Sequence, residues 1–138
     1  MFRLAFAITT WTLLACPVAA EGKKDPKKAT VELGGDIADE ALQKLAPANG
    51  VVASEKSWET LAKAWGIKDA PKVDFTKELL IVGTTRGSSF GILPVVKDGD
   101  LTISTRGTKD IQPGFRWKIL SISREGIKTV QGKELPRE

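Results

Sequence analysis

The chain has no histidine and no tyrosine, and only one cysteine and one methionine. Without imidazole there is no Ser-His-Asp or Cys-His relay, and with a single thiol there is no His/Cys metal site. Cys16 is the only sulfhydryl, so no internal disulfide forms even in an oxidising compartment, and the fold must be held by packing. A serine activated by a lysine three residues on is missing too: Ser54, Ser57, Ser88, Ser89, Ser104, Ser121 and Ser123 all lack that neighbour. An uninterrupted run of ~20 apolar residues, the length that spans a bilayer, is also absent, because Thr9, Thr10 and Thr12 break the longest apolar stretch. There are no repeats of structural period.

What is present at the start has the order of an export leader. Met1-Phe2-Arg3 is short and positive, the following stretch to Leu14 is mostly apolar, and Val18-Ala19-Ala20 supplies small residues ahead of Glu21-Gly22-Lys23-Lys24. We expect residues 1–20 to be a removed signal peptide and the protein to be exported, as a periplasmic, envelope or secreted species. Leu13-Leu14-Ala15-Cys16 resembles a bacterial lipobox, which makes Cys16 a candidate lipidation site and the only expected route to a membrane. Leu14 and Pro17 are unusual flanks for that motif, so cleavage after Ala20 is preferred.

Charge narrows the partners. With Arg3 removed, 20 basic face 17 acidic side chains, and residues 21–28 hold four lysines against Glu21 and Asp25. That segment reads as a polar, Lys-rich spacer. The remaining residues, 29–138, carry 16 basic and 15 acidic groups, a near balance that argues against nucleic acid as a partner.

Residues 29–138 have the size of one domain. Thr30-Val31-Glu32-Leu33 predicts a first strand ending at Gly34-Gly35, and the spacing of Ile37, Ala41 and Leu45 predicts a helix over 36–45 with Asp36 as its cap. Val51-Val52-Ala53 is β-prone. Ser54 then stands as an N-cap before Trp58, Leu61, Ala62 and Trp65, which share one helix face, and Gly66 closes the helix. Both tryptophans are expected in the core. Val73-Asp74-Phe75 predicts a strand, and Leu79-Leu80-Ile81-Val82 a central strand covered on both faces. Phe90, Ile92 and Val96 form the next, with Pro94 pointing to an edge or a bulge. Asp98-Gly99 signals a hairpin and Pro113-Gly114 a type II turn. After Phe115, Trp117 and Ile119 the apolar phase slips to Leu120 and Ile122, which predicts a bulge. The expected fold is a single α+β domain: a mainly antiparallel sheet of five to seven short strands with one main helix packed on it.

Several candidate constellations remain. Asp36 with Asp39 or Glu40, and Asp98 with Asp100, are the carboxylate pairs that a glycoside hydrolase would need, but they read first as a helix start and a turn. Residues 83–89 have the small side chains of a phosphate cradle without its lysine. The strongest group follows from counting reversals: antiparallel strands return Arg86, Arg106 and the start of the strand bearing Arg116 to one end of the sheet, with Lys109 nearby. Guanidinium groups there could hold a carboxylate, a phosphate or an acidic loop of a partner; the alternative is that they are solvated turn arginines, with Asp110 partnering one of them. No catalytic, metal or cofactor residue is expected.

The residues Val51-Val52-Ala53-Ser54, the helix bearing Trp58, the run from Pro71 through Val73-Asp74-Phe75-Thr76-Lys77-Glu78-Leu79, and Gly87-Ser88-Ser89-Phe90-Gly91-Ile92 together resemble the PrcB-like protease-complex accessory domain. That family has an aromatic-bearing helix, a Val-Asp-Phe-x-Lys-Glu segment and a Gly-Gly-Tyr-x-Ile segment; here Ser88-Ser89-Phe90 stands in the last. The stretches 110–117 and 123–135 are similar to small exported proteins of planctomycete bacteria. The resemblance implies a non-catalytic secreted or lipid-anchored domain that assists assembly of an extracellular protein complex, and it carries over no catalytic residue. The leading expectation is therefore a non-enzymatic envelope or secreted binding domain with a protein partner. The alternatives are a carboxylate-dependent hydrolase of envelope polysaccharide and a structural envelope protein with no defined ligand.

Overall fold

The computed structural model describes residues 31–135; the expected leader with Cys16 and the expected Lys-rich spacer lie outside the described residues. Among the described residues, eight strands form two four-stranded sheets. The first sheet runs β1 (Glu32–Ile37), β6 (Phe115–Ser123), β3 (Glu78–Thr85), β2 (Val51–Val52), and every pairing in it is antiparallel. The second runs β4 (Phe90–Lys97), β5 (Asp100–Gly107), β7 (Thr129–Val130), β8 (Lys133–Glu134), with one parallel pairing, β5 to β7. The one α-helix among the described residues, α1 (Glu55–Ala64), completes a single α+β domain. The strands exceed the expected number because three are only two residues long, and they form two sheets where one was expected.

The alternation of β3 explains the layering. Leu80 and Val82 join α1 residues Trp58, Leu61, Ala62 and Trp65 in one cluster. Leu79 and Ile81, pointing the other way, join Phe90, Ile92 and Leu101 of the second sheet. The strand is thus buried on both faces between helix and sheet, as its unbroken apolar run predicts. Ser54 caps α1, its hydroxyl accepting from the Ser57 N–H at 3.2 Å. Trp65 meets Phe115 edge-on at 5.5 Å and donates its indole N–H to the Leu42 carbonyl at 2.9 Å, so the buried polar tip is satisfied.

The phase slip in β6 is no bulge. The registers of β6 with β1 and β3 run without a break through Leu120. Phe115, Trp117 and Ile119 face the helix, while Leu120 and Ile122 face the second sheet, which covers only the later half of the strand. Ser121, on the helix side, is fully buried and accepts from the Val31 N–H at 2.8 Å.

Three other expectations are corrected. β1 does not stop at the glycine pair but runs through it, because a Cβ on Gly35 would lie 3.0 Å from the Trp117 ring that packs over it. The helix expected over 36–45 is a 3-10 helix, Glu40–Leu45, capped by Asp39, while Asp36 remains in β1. Val73-Asp74-Phe75 is no strand: Asp74 turns the chain, its carboxylate accepting from the Thr76 N–H and hydroxyl and its carbonyl from the Lys77 and Glu78 N–H groups.

The turns follow their residues. Asp98 and Gly99 both have positive φ, 53° and 81°, and close β4 onto β5. Gly114 has φ 71°, and a Cβ there would lie 2.2 Å from the Ile37 carbonyl oxygen. β4 is an edge strand, and Pro94 occupies a position whose N–H would face outward, so that edge lacks a donor at its middle.

Candidate functional site

The four predicted cationic residues reach one end of the molecule, where two of them meet carboxylates of this chain. Arg116 pairs with Thr85 of β3 on one side and Asp36 of β1 on the other, and Arg106 lies opposite Gly91 in the β4–β5 ladder. The loop after β3 is tied to the loop after β5: Gln112 N–H donates to the Arg86 carbonyl at 2.8 Å, and Thr108 N–H to the Ser89 carbonyl at 3.0 Å. Two guanidinium groups meet carboxylates of this chain, Arg86 with Glu40 at 2.8 Å and Arg116, through Nε, with Asp36 at 3.4 Å, while the buried Nη1 of Arg116 has no hydrogen-bond partner among the described residues. Arg106 and Lys109 are exposed on the same end.

Among the described residues Asp110 partners no arginine, contrary to the expected pairing. It accepts from the N–H and hydroxyl of Ser88 and from the Gln112 side chain, at 2.9 to 3.1 Å. The Thr108 hydroxyl, the Ser88 N–H and the Gln112 amide hold its carboxyl well below the usual range. Its chemistry is that of a staple between two loops.

The candidate acid/base pairs are equally occupied. Asp36 and Glu40 hold arginines, and Asp39 caps the 3-10 helix through the Ala41 N–H at 2.9 Å. Asp100 accepts from the Thr129 hydroxyl at 2.6 Å and the Gly132 N–H at 2.9 Å, which lower its pKa. Asp98 sits in the hairpin turn.

A different feature, which the sequence reading missed, is a groove of about 650 Å³ along the edge of the first sheet. One wall is the outer strand, Val51, Val52 and Ala53; the other is the flank of α1, Ser57, Thr60 and Ala64. Leu45 and Pro47 wall its far end, and Lys56 is its one charged lining residue among the described residues. The helical period could have signalled the flank, because Ser57, Thr60 and Ala64 recur at spacings of three and four. That β2 would be an edge strand has no local signal.

The strand wall offers backbone groups. Val82 N–H donates to the Gly50 carbonyl at 2.8 Å, and Val51 lies opposite Ile81. Alternation of an antiparallel ladder then turns the Val51 N–H and C=O, and the Ala53 N–H, away from β3. The Asn49 side chain takes the Val51 N–H at 3.1 Å. Val51 and Val52 are themselves only 2% and 3% exposed, so the edge is largely covered.

No family model matches the chain, and no curated protein or solved structure matches it significantly.

Proposed function

We propose that the chain is a non-catalytic binding or accessory domain of an exported or envelope complex, acting by contact. The groove beside β2 supports this reading: a mostly apolar channel with a strand edge on one wall, a helix flank on the other and a single cation is a shape for holding a ligand. The inventory agrees, since the residues after the leader hold no imidazole, thiol or phenol. Each carboxylate of the candidate acid/base pairs lies in a cap, a turn or an ion pair. The resemblance to PrcB-like accessory domains points in the same direction.

Cross-linking of the native protein in envelope preparations tests it. The expected result is one protein partner at fixed stoichiometry. Release of soluble sugar from envelope polymer by the pure chain, at an ordinary enzymatic rate, would refute it.

A further inference from the structure

We infer that the open edge of β1 is a self-association surface, on which two copies of the chain pair antiparallel through residues 24–36 about a two-fold axis at Thr30. The inference stands apart from the groove and from any partner held there.

The surface is a strand edge that the fold leaves unpaired. β1 has β6 on one side and no strand on the other among the described residues. The Ser121 N–H donates to the Val31 carbonyl at 2.9 Å, and the register runs unbroken from there to Ile37. Alternation of the ladder therefore turns the backbone groups of Leu33, Gly35 and Ile37 toward β6, and the N–H and C=O of Glu32, Gly34 and Asp36 outward. Those three residues are exposed, unlike Val51 and Val52 of β2. A free edge of this length with no proline, bulge or lysine is a template for another strand.

Charge chooses the occupant, its direction and its register. Two β1 strands paired antiparallel about Gly34 would set Glu32 opposite Asp36, carboxylate against carboxylate, and a parallel pair would align like with like. The residues directly ahead of β1, which lie outside the described residues, carry the complement. Counted outward from Thr30 on the alternate positions that continue the open edge, Lys28 answers Glu32, Pro26 answers Gly34 and Lys24 answers Asp36. An axis at Thr30 thus places each of these lysines of one copy opposite a carboxylate of the other. Moving the axis to residue 28 or 32 sets Lys28 against Lys28 or Glu32 against Glu32, and moving it to 29 or 31 pairs none of the four. Asp36, 77% exposed with Arg116 at 3.4 Å on its β6 side, gains Lys24 on its other side, and Glu32 gains an ion pair that it lacks among the described residues. Pro26 removes one donor opposite each Gly34, which leaves about a dozen backbone hydrogen bonds across the ribbon. The exposed ion pairs fix the register, and the backbone bonds hold it. Folding back of the same lysines onto β1 of their own chain is opposed by the turn this requires, Ala29-Thr30, which has no glycine or asparagine to take positive φ.

The test measures self-association of the chain from Glu21 onward, the expected exported species, by sedimentation equilibrium. A monomer–dimer equilibrium is expected below millimolar concentration. Lys28→Glu and Glu32→Lys each oppose like charges at two symmetry-related places, so each alone should weaken the dimer about ten-fold. Mixed in equal amounts, the two variants should associate as tightly as the wild-type chain, because each then meets the opposite charge at both places. In wild-type amide exchange, Glu32, Gly34 and Asp36 should become protected only as concentration rises, while Leu33 and Gly35, bonded to β6, are protected throughout. A chain that stays monomeric at millimolar concentration overturns the inference. So does a dimer that either reversal leaves unchanged or that mixing does not restore. Protection of Glu32, Gly34 and Asp36 at every concentration would also overturn it, since the chain would then be covering its own edge. The exchange pattern is read on the wild-type chain and decides the matter even where a variant fails to fold.

Discussion

The three-layer arrangement makes a sharp demand on two adjacent residues. Leu79 is 0% exposed and faces the second sheet, while Leu80 is 1% exposed and faces α1. Truncating either to alanine removes three carbons from a fully buried site, about 2.4 kcal/mol of transfer free energy at ~0.8 per carbon. The unfilled cavity adds to that, so each of Leu79→Ala and Leu80→Ala should cost about 3 to 4 kcal/mol. Their side chains belong to different clusters, so the double variant should cost the sum within ~0.5 kcal/mol. That would consume most of the stability of a domain of this size. Leu93, 45% exposed on the outer face of β4, is the control, and Leu93→Ala should shift stability by under ~0.5 kcal/mol. Urea denaturation with a common m-value measures all four. A cost below about 1 kcal/mol at either Leu79 or Leu80 would mean that one face of β3 is open to water, and the layering would be wrong.

Three further outcomes are expected. Gly114→Ala should destabilise the fold by more than ~1 kcal/mol, because it forces an L side chain into positive φ and against the Ile37 carbonyl; a neutral effect in urea would contradict the turn. Arg86→Ala should change stability by under ~1 kcal/mol, since its ion pair with Glu40 is about half exposed on both sides; a large loss would show that the pair is doing more than its geometry implies. Hydrogen bonds hold the carboxyl groups of Asp74, Asp100 and Asp110 below the ordinary carboxylate range. A carboxyl lowered by folding gives stability that is fully present above its unfolded pKa and lost as pH falls through the folded one. The melting temperature should therefore fall below pH ~4, and Asp110→Asn should lower it more at pH 7 than at pH 2; equal losses at both would rule out the staple.

Much of the fold was legible where the signal is local. Ser54, the spacing of Trp58, Leu61, Ala62 and Trp65, and Gly66 define α1 within one residue at each end. The Asp98-Gly99 hairpin, the edge position of the Pro94 strand and the double burial of Leu79 to Val82 follow from single turns or single runs. The misreadings arise where a distant element decides. β6 has one continuous register, but its first half is covered on one face and its second on both, so its hydrophobic phase records the extent of the other sheet rather than the backbone. Gly34-Gly35 looks like a stop until Trp117 is laid across it. Asp36 looks like a cap until Arg116 is placed opposite it.

The candidate site divides along the same line. Counting antiparallel reversals was enough to bring Arg86, Arg106 and Arg116 to one end, because each strand between them is followed by a short return. It could not supply Asp36 and Glu40, which arrive on β1 and the 3-10 helix from the opposite end of the chain and meet two of the three. The β2 edge is a product of strand order alone: β3 spends its other side on β6, and β6 spends its own on β1, so Val51 and Val52 receive one neighbour where the inner strands have two. Asn49 then satisfies the outward N–H at Val51 and leaves the carbonyl. A short edge strand normally needs protection against indiscriminate pairing. Here the two residues are themselves covered, Val51 at 2% and Val52 at 3% exposure, and the N–H that Val51 turns outward is taken by Asn49, so this edge is guarded by burial as well as by its brevity.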